Sequence, residues 1–132
     1  MPTTHKLRRF SDRAMESPFW NEITETMPRE QLDQLHLMRL KMLITYVYEN
    51  SEFYQARFKQ IGLEPGDVRT LEDFRTKVPM TDKNDFLEMQ VEQPPYGPTQ
   101  AMPTEFIAHH AETSGTTGVP LAIPYSLYDT MR

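Results

Sequence analysis

Between residues 113 and 120 the chain reads Thr113-Ser114-Gly115-Thr116-Thr117-Gly118-Val119-Pro120. Four hydroxyl side chains and two glycines crowd into the stretch 113–118. Glycine lets a backbone turn tightly and brings its N–H groups close to a ligand. Successive N–H groups in such a turn form a concavity that suits anions. Hydroxyls add donors without adding a fixed charge. The chemistry that fits is the holding of polyphosphate oxygens. The segment is not the G-x-x-x-x-G-K-[ST] phosphate loop, because no lysine follows Gly118, and it lacks the G-x-G-x-x-G dinucleotide pattern. A Ser/Thr/Gly cluster without further context would also pass for a polar hairpin loop.

His109 and His110 stand just before this stretch. As a metal pair they are poor, since adjacent residues of a strand point to opposite faces. As a general base, either one would need a partner that the sequence does not reveal. A structural role at a strand end is expected for both. With no cysteine in the chain, a disulfide framework, a Cys-rich zinc site and a catalytic thiol are all excluded.

The elements that must position the stretch can be read from periodicity and caps. Pro28 suits a first helical position, and Glu30 falls in the first turn, where a carboxylate favours the helix dipole. Leu40, Leu43, Ile44 and Val47 then form one helical stripe, and Leu35, Met38, Met42 and Tyr46 a neighbouring one. Together they predict a wide apolar face that must be buried, with Met38 and Met42 as core rather than ligands. Asn50 and Ser51 break this helix, and Ser51 offers a cap for the next. Tyr54, Phe58 and Ile61 share a face of that second helix, and Gly62 is its expected stop. Glu64-Pro65-Gly66-Asp67 reads as a turn. Thr70 with Asp73 resembles a capping box opening a short helix that Val78-Pro79 ends. Thr81 is expected to start another, carrying Phe86, Leu87 and Met89. Residues 93–104 hold five prolines and glycines and no period, so a long loop laid over a larger body is expected. Two short strands follow, over 105–109 and 120–125, with Pro124 at an edge or strand end. Ser126 and Asp129 then sign a further helix start. A single helical turn and a lone hairpin are each marginal by themselves. The sequence is therefore expected to begin an α/β unit without completing it.

Lys plus Arg number 14 and Asp plus Glu 19, a formal net charge of -5. That balance argues against binding along nucleic acid or to an anionic membrane surface. No apolar run approaches the length of a bilayer span, and no signal-peptide core follows the basic residues Lys6, Arg8 and Arg9. A cytoplasmic protein is expected. Trp20, the sole tryptophan, is expected to anchor the N-terminal segment by packing.

The order S-G-T-T-G-x-P after a short strand resembles the phosphate loop of the adenylate-forming superfamily of acyl-CoA synthetases, luciferases and nonribosomal adenylation domains. Upstream, Phe19-Trp20, Pro28-Arg29-Glu30, Arg39-Leu40, Tyr48-Glu49-Asn50-Ser51, Phe53-Tyr54, Gly62, Leu71-Glu72-Asp73 and Pro79-Met80-Thr81-Asp82-Lys83 fall in the order seen in phenylacetate–CoA ligase-like proteins. The resemblance covers residues 17–132. It implies an α/β fold class, the N-terminal portion of the adenylate-forming enzyme fold. Here that portion is several helices followed by a β-hairpin carrying the phosphate loop, an incomplete domain. Residues 1–16 would be a flexible tail and residues 17–132 the first part of the large domain. The implied activity is that of an AMP-forming ligase. A carboxylate is activated with Mg2+-bound ATP to an acyl-adenylate and then passed to CoA. Thr113, Ser114, Gly115, Thr116, Thr117 and Gly118 align with the loop that holds the ATP β- and γ-phosphates. No catalytic residue and no resident metal is assigned within these residues, because the family's later motifs are absent, and the chain alone is expected to be inactive. The partners implied are a small carboxylate and, for the full-length form, a further copy of itself. Two alternatives stay open: an adenylating enzyme that loads a carrier protein or modifies a cofactor, and a non-enzymatic nucleotide-binding or interaction remnant. The sequence departs from the family at Val119, where a lysine is common, and in the spacing of His109-His110 from the loop, so no role is carried to either histidine.

Overall fold

A computed structural model describes residues 17–115 and 118–131. The expected N-terminal tail, Thr116, Thr117 and Arg132 lie outside the described residues. The chain divides into two compact units, one up to His36 and one from Leu37 onward. In the first unit, helix α1 (Glu22–Glu25) is closed by a reciprocal cap. The Asn21 side chain accepts from the Thr24 amide, and the Glu25 carboxylate accepts from the Asn21 amide. Trp20, expected as a packing anchor, is 85% exposed. Helix α2 (Arg29–Asn50) starts one residue later than expected. The Pro28 carbonyl accepts from the Leu32 amide, so Pro28 occupies the cap rather than the first helical position.

The second unit is built around Phe58. Ile44, Phe58, Leu63 and Val68 are buried, with Leu40, Tyr48, Tyr54, Phe74 and Val78 packed around them. Helix α3 (Glu52–Gln60) presents Phe58 to this cluster and stops at Gly62. The stop is a Schellman arrangement: the Gly62 amide donates to Lys59 and the Leu63 amide to Phe58. It needs a left-handed residue, and Gly62 supplies φ +67°. It also brings Leu63 onto the ring of the residue five places earlier. Residues Pro65–Asp67 form one 3-10 turn in place of the expected turn. Helix α4 (Leu71–Lys77) opens with the predicted Thr70/Asp73 capping box and closes at Val78.

Neither apolar stripe of α2 is covered along its whole length. Leu40, Ile44 and Tyr48, four residues apart, line up over Phe58. Met38, Met42, Leu43 and Tyr46 stay exposed, Met42 by 66%. The expectation of a fully buried face fails in both stripes, since Leu43 of one and Met38, Met42 and Tyr46 of the other lie open to solvent.

Helix α5 (Lys83–Glu92) is capped by Asp82, not Thr81. The Asp82 carboxylate accepts from the amides of Asn84 and Asp85, and Asp85 returns the bond to the Asp82 amide. The predicted loop follows over residues 93–103 and is tied to the α2–α3 corner. The Tyr46 hydroxyl donates to Ala101 O at 2.6 Å, and the Ser51 hydroxyl to Pro98 O at 3.0 Å. The Phe53 amide also donates to Pro98 O. Ser51 does sit at the cap position of α3, but its hydroxyl is turned to the loop instead of capping.

A 3-10 turn at Thr104–Phe106 leads into strand β1 (Ile107–Glu112), antiparallel to β2 (Ala122–Ser126). Both strands begin two residues later than the sequence suggests. The 3-10 turn takes up Glu105 and Phe106, and Pro120 has no N–H to give to a ladder. Helix α6 (Leu127–Thr130) opens on the predicted Ser126/Asp129 capping box.

The Asp73 carboxyl is held well below its ordinary value of 3.8 by Lys77, by the Thr70 hydroxyl and by the amides of Arg69 and Thr70. A carboxylate favoured in the folded state stabilises fully above its ordinary pKa and loses that effect as the pH falls toward its folded value. Asp73→Asn should therefore lower the melting temperature at pH 7. The gap to the parent should close as the pH drops below about 4, as a series of thermal melts would show.

Candidate functional site

The hairpin brings the hydroxyl–glycine stretch to its open end. Glu112 pairs with Ala122, Ala111 with Ile123, His110 with Pro124 and His109 with Tyr125. Beyond this ladder Thr113 makes one more rung. Its amide donates to Leu121 O at 3.0 Å, and its hydroxyl accepts from the Leu121 amide at 3.0 Å. The Thr113 side chain thus substitutes for the carbonyl that a further strand pair would have used. Both ends of the loop are clamped at that point.

Within the loop, the Gly118 amide donates to Gly115 O at 2.8 Å, closing a tight turn. Gly115 has φ +62° and Gly118 φ +118°. A side chain at either is strained, and a Cβ on Gly115 would stand 3.4 Å from Pro120 N. Ser114, Gly118 and Val119 are exposed, and Thr113 and Gly115 half-buried. Of the six residues assigned to the site by sequence, the structure brings Thr113, Ser114, Gly115 and Gly118 together in this turn. Thr116 and Thr117 are outside the described residues.

The loop itself carries no charge. Glu112 is the single ionisable residue in the stretch 111–124. A hollow beside Val119 is lined by Asn84, Leu87, Glu88, Val91 and Glu92 of α5. What the loop offers an anion is therefore backbone N–H and hydroxyl dipoles rather than a cationic side chain.

The two histidines part as expected for strand neighbours. His109 stacks on Tyr125, with ring centres 5.2 Å apart and 10° between the planes, and lies 3.5 Å from the Thr130 hydroxyl. His110 faces Tyr96 of the loop and stands 3.6 Å from Glu112. Among the described residues no three His, Cys, Asp or Glu side chains are grouped to hold a metal ion. No helix among them is long and apolar enough to cross a membrane.

One contributor was not foreseen. Gln90 of α5 is buried, and its side-chain amide meets the backbone of Ala122 where β2 begins. A signal for it exists. Gln90 follows Phe86 by four residues and Leu87 by three, so it is a polar residue in an apolar stripe.

No family model matches the chain. A phenylacetate-coenzyme A ligase of Thermus thermophilus is 39% identical over 105 residues, which is 80% of this chain and 22% of that protein. A phenylacetate-coenzyme A ligase of Pseudomonas putida is 35% identical over 119 residues, 90% of this chain and 25% of that protein. Among solved structures, 2-hydroxyisobutyryl-CoA ligase in complex with 2-HIB-AMP and CoA superposes with a TM-score of 0.79 at 36% identity. That match covers 86% of this chain and 24% of the ligase. The chain thus spans 22% to 25% of the length of these relatives. On these identities and this shared backbone, the chain belongs to the phenylacetate–CoA ligase-like family of adenylate-forming enzymes, whose N-terminal part it matches.

Proposed function

We propose that these residues are the phosphate-holding N-terminal part of an AMP-forming carboxylate–CoA ligase that works in the cytoplasm on a small aryl or acyl acid. The observation that carries the reading is the clamped turn at the end of the hairpin, with Gly115 and Gly118 both at positive φ. It occurs in a chain 36% identical to a ligase solved with an acyl-adenylate and CoA. In the proposed reaction a carboxylate oxygen attacks the α-phosphorus of ATP, and the bond to the bridging oxygen breaks. Pyrophosphate leaves with that electron pair. The thiol of CoA then attacks the acyl carbonyl and AMP departs.

Residues 113–118 act on the first step. Apart from the amides of Thr113 and Gly118, which hold the turn itself, their N–H and hydroxyl dipoles hold the β- and γ-phosphates and offset the charge that gathers on the leaving pyrophosphate. Mg2+ enters with ATP as part of the substrate. Val119 supplies no cation, so the hold on ATP rests on dipoles and on that metal ion.

The protein as its source cells make it should exchange labelled pyrophosphate into ATP only when a carboxylic acid is present. Absence of exchange across aryl and aliphatic acids overturns the proposal. Gly115→Ala forces a left-handed alanine, a strain of roughly 1–2 kcal/mol. It should raise the KM for ATP about tenfold and leave the KM for the acid alone. A large fall in melting temperature with an unmoved KM would mean the glycine serves folding only. Val119→Lys should lower the KM for ATP by about threefold, more at low salt than at high, and an unchanged KM would place residue 119 away from the phosphates.

A further inference from the structure

Gln90 lies on the inner face of α5 behind half-buried Phe86 and Leu87, and only 9% of it is exposed. A buried amide is costly unless its donors and acceptor are met. Here they are. Its Oε1 accepts from the Ala122 amide at 3.1 Å, and its Nε2 faces Ala122 O at 3.4 Å and donates to Pro95 O. Two bonds to the N–H and C=O of one residue are what a neighbouring strand would give. The alternation of an antiparallel ladder explains why they are free to form. Leu121 directs its polar groups at Thr113. Those of Ala122, one residue on, therefore face the outer edge of β2. Gln90 takes the place of a third strand at that one position.

The position is the one that matters for the loop. Ala122 follows Leu121, which closes the clamp with Thr113. Through Pro95 the same amide is joined to the loop of residues 93–103, which Ser51 and Tyr46 tie to the α2–α3 corner. Hydrogen bonds at Pro95 on one side and at Pro98 and Ala101 on the other thus link the strand on which the glycine turn ends to the helical core through the backbone of that loop.

We infer that Gln90 is a positioning residue for the phosphate loop: it fixes the start of β2, and through it the placement of the Gly115–Gly118 turn against the ATP phosphates. This rests on the reading of the loop given above. It assigns to α5 a part in ATP affinity that the loop's own residues do not supply.

Two substitutions test it in the protein as its source cells make it. Gln90→Met keeps the side-chain volume and removes the amide. Gln90→Glu keeps an acceptor for the Ala122 amide but sets a second oxygen against the carbonyls of Ala122 and Pro95. Both should raise the KM for ATP about tenfold while the KM for the acid stays within about twofold of the parent. The Glu variant should recover toward the parent as the pH is lowered from 8 to 6, because a buried carboxyl takes up a proton and regains a donor. The Met variant should not recover. A purely structural role would lower the melting temperature and the amount of active enzyme without moving the KM for ATP, and that result overturns the inference. If one variant does not fold, the other decides by the same split. A parent that exchanges pyrophosphate, with variants whose KM for ATP equals its own, sinks this inference alone. A parent that exchanges none sinks the function proposed for the loop and this inference with it.

Discussion

Two antiparallel strands leave half of their backbone polar groups turned outward, and a glycine-rich turn at the end of such a pair inherits that looseness. A hairpin alone is marginal in water. In this chain the outward groups at the start of β2 are met by the Gln90 amide, and the last rung is completed by the Thr113 hydroxyl. The loop is therefore held by polar contacts from both sides of β2. Its geometry depends on where α5 stands, and α5 in turn on the loop of residues 93–103 that lies between it and the helical corner. Gly97 shows how closely these pieces approach: a Cβ there would come within 3.1 Å of the Met89 backbone.

The apolar core plays a different part. Ile44, Phe58, Leu63 and Val68 bind α2, α3 and the turn before α4 into one body, with the Schellman stop at Gly62 folding Leu63 back over Phe58. Packing fixes the frame, and hydrogen bonds from Tyr46, Ser51 and Phe53 pass that frame on to the loop of residues 93–103. This division suits the proposed site, which is built from backbone dipoles. Hydrogen bonds are directional and set the angle at which N–H groups point, while apolar contact sets only how near the elements come.

Electrostatics sets the terms on which an anion could be held. The chain carries a net charge of -5, Glu112 adjoins the loop, and Glu88 and Glu92 line the hollow beside Val119. A loop without a cation in such surroundings attracts phosphate only at short range, through aligned dipoles. On the proposed reading the metal ion carried by ATP supplies the missing positive charge, and precise placement of the turn counts for more than it would beside a lysine.

The parts of this protein that close on themselves within a few residues were legible in its sequence. The Thr70/Asp73 and Ser126/Asp129 boxes and the stop at Gly62 rest on bonds between residues three to five apart, and each was found where expected; the hairpin was foreseen too, with both strands starting two residues later. Asp82 in place of Thr81 was within reach of the same reasoning, since Asp82 and Asp85 have the spacing of a box. The family, too, could be named from residue order alone. The tertiary structure decided the rest. It chose which residues of α2 are covered, Leu40, Ile44 and Tyr48, a line that cuts across the stripes marked by periodicity. It took the Ser51 hydroxyl away from its cap to a carbonyl 47 residues on, and it gave Gln90 a partner 32 residues away. A side chain's local alternatives can be weighed from its neighbours in the chain. A bond to a distant backbone group exists only once folding has brought that group within reach.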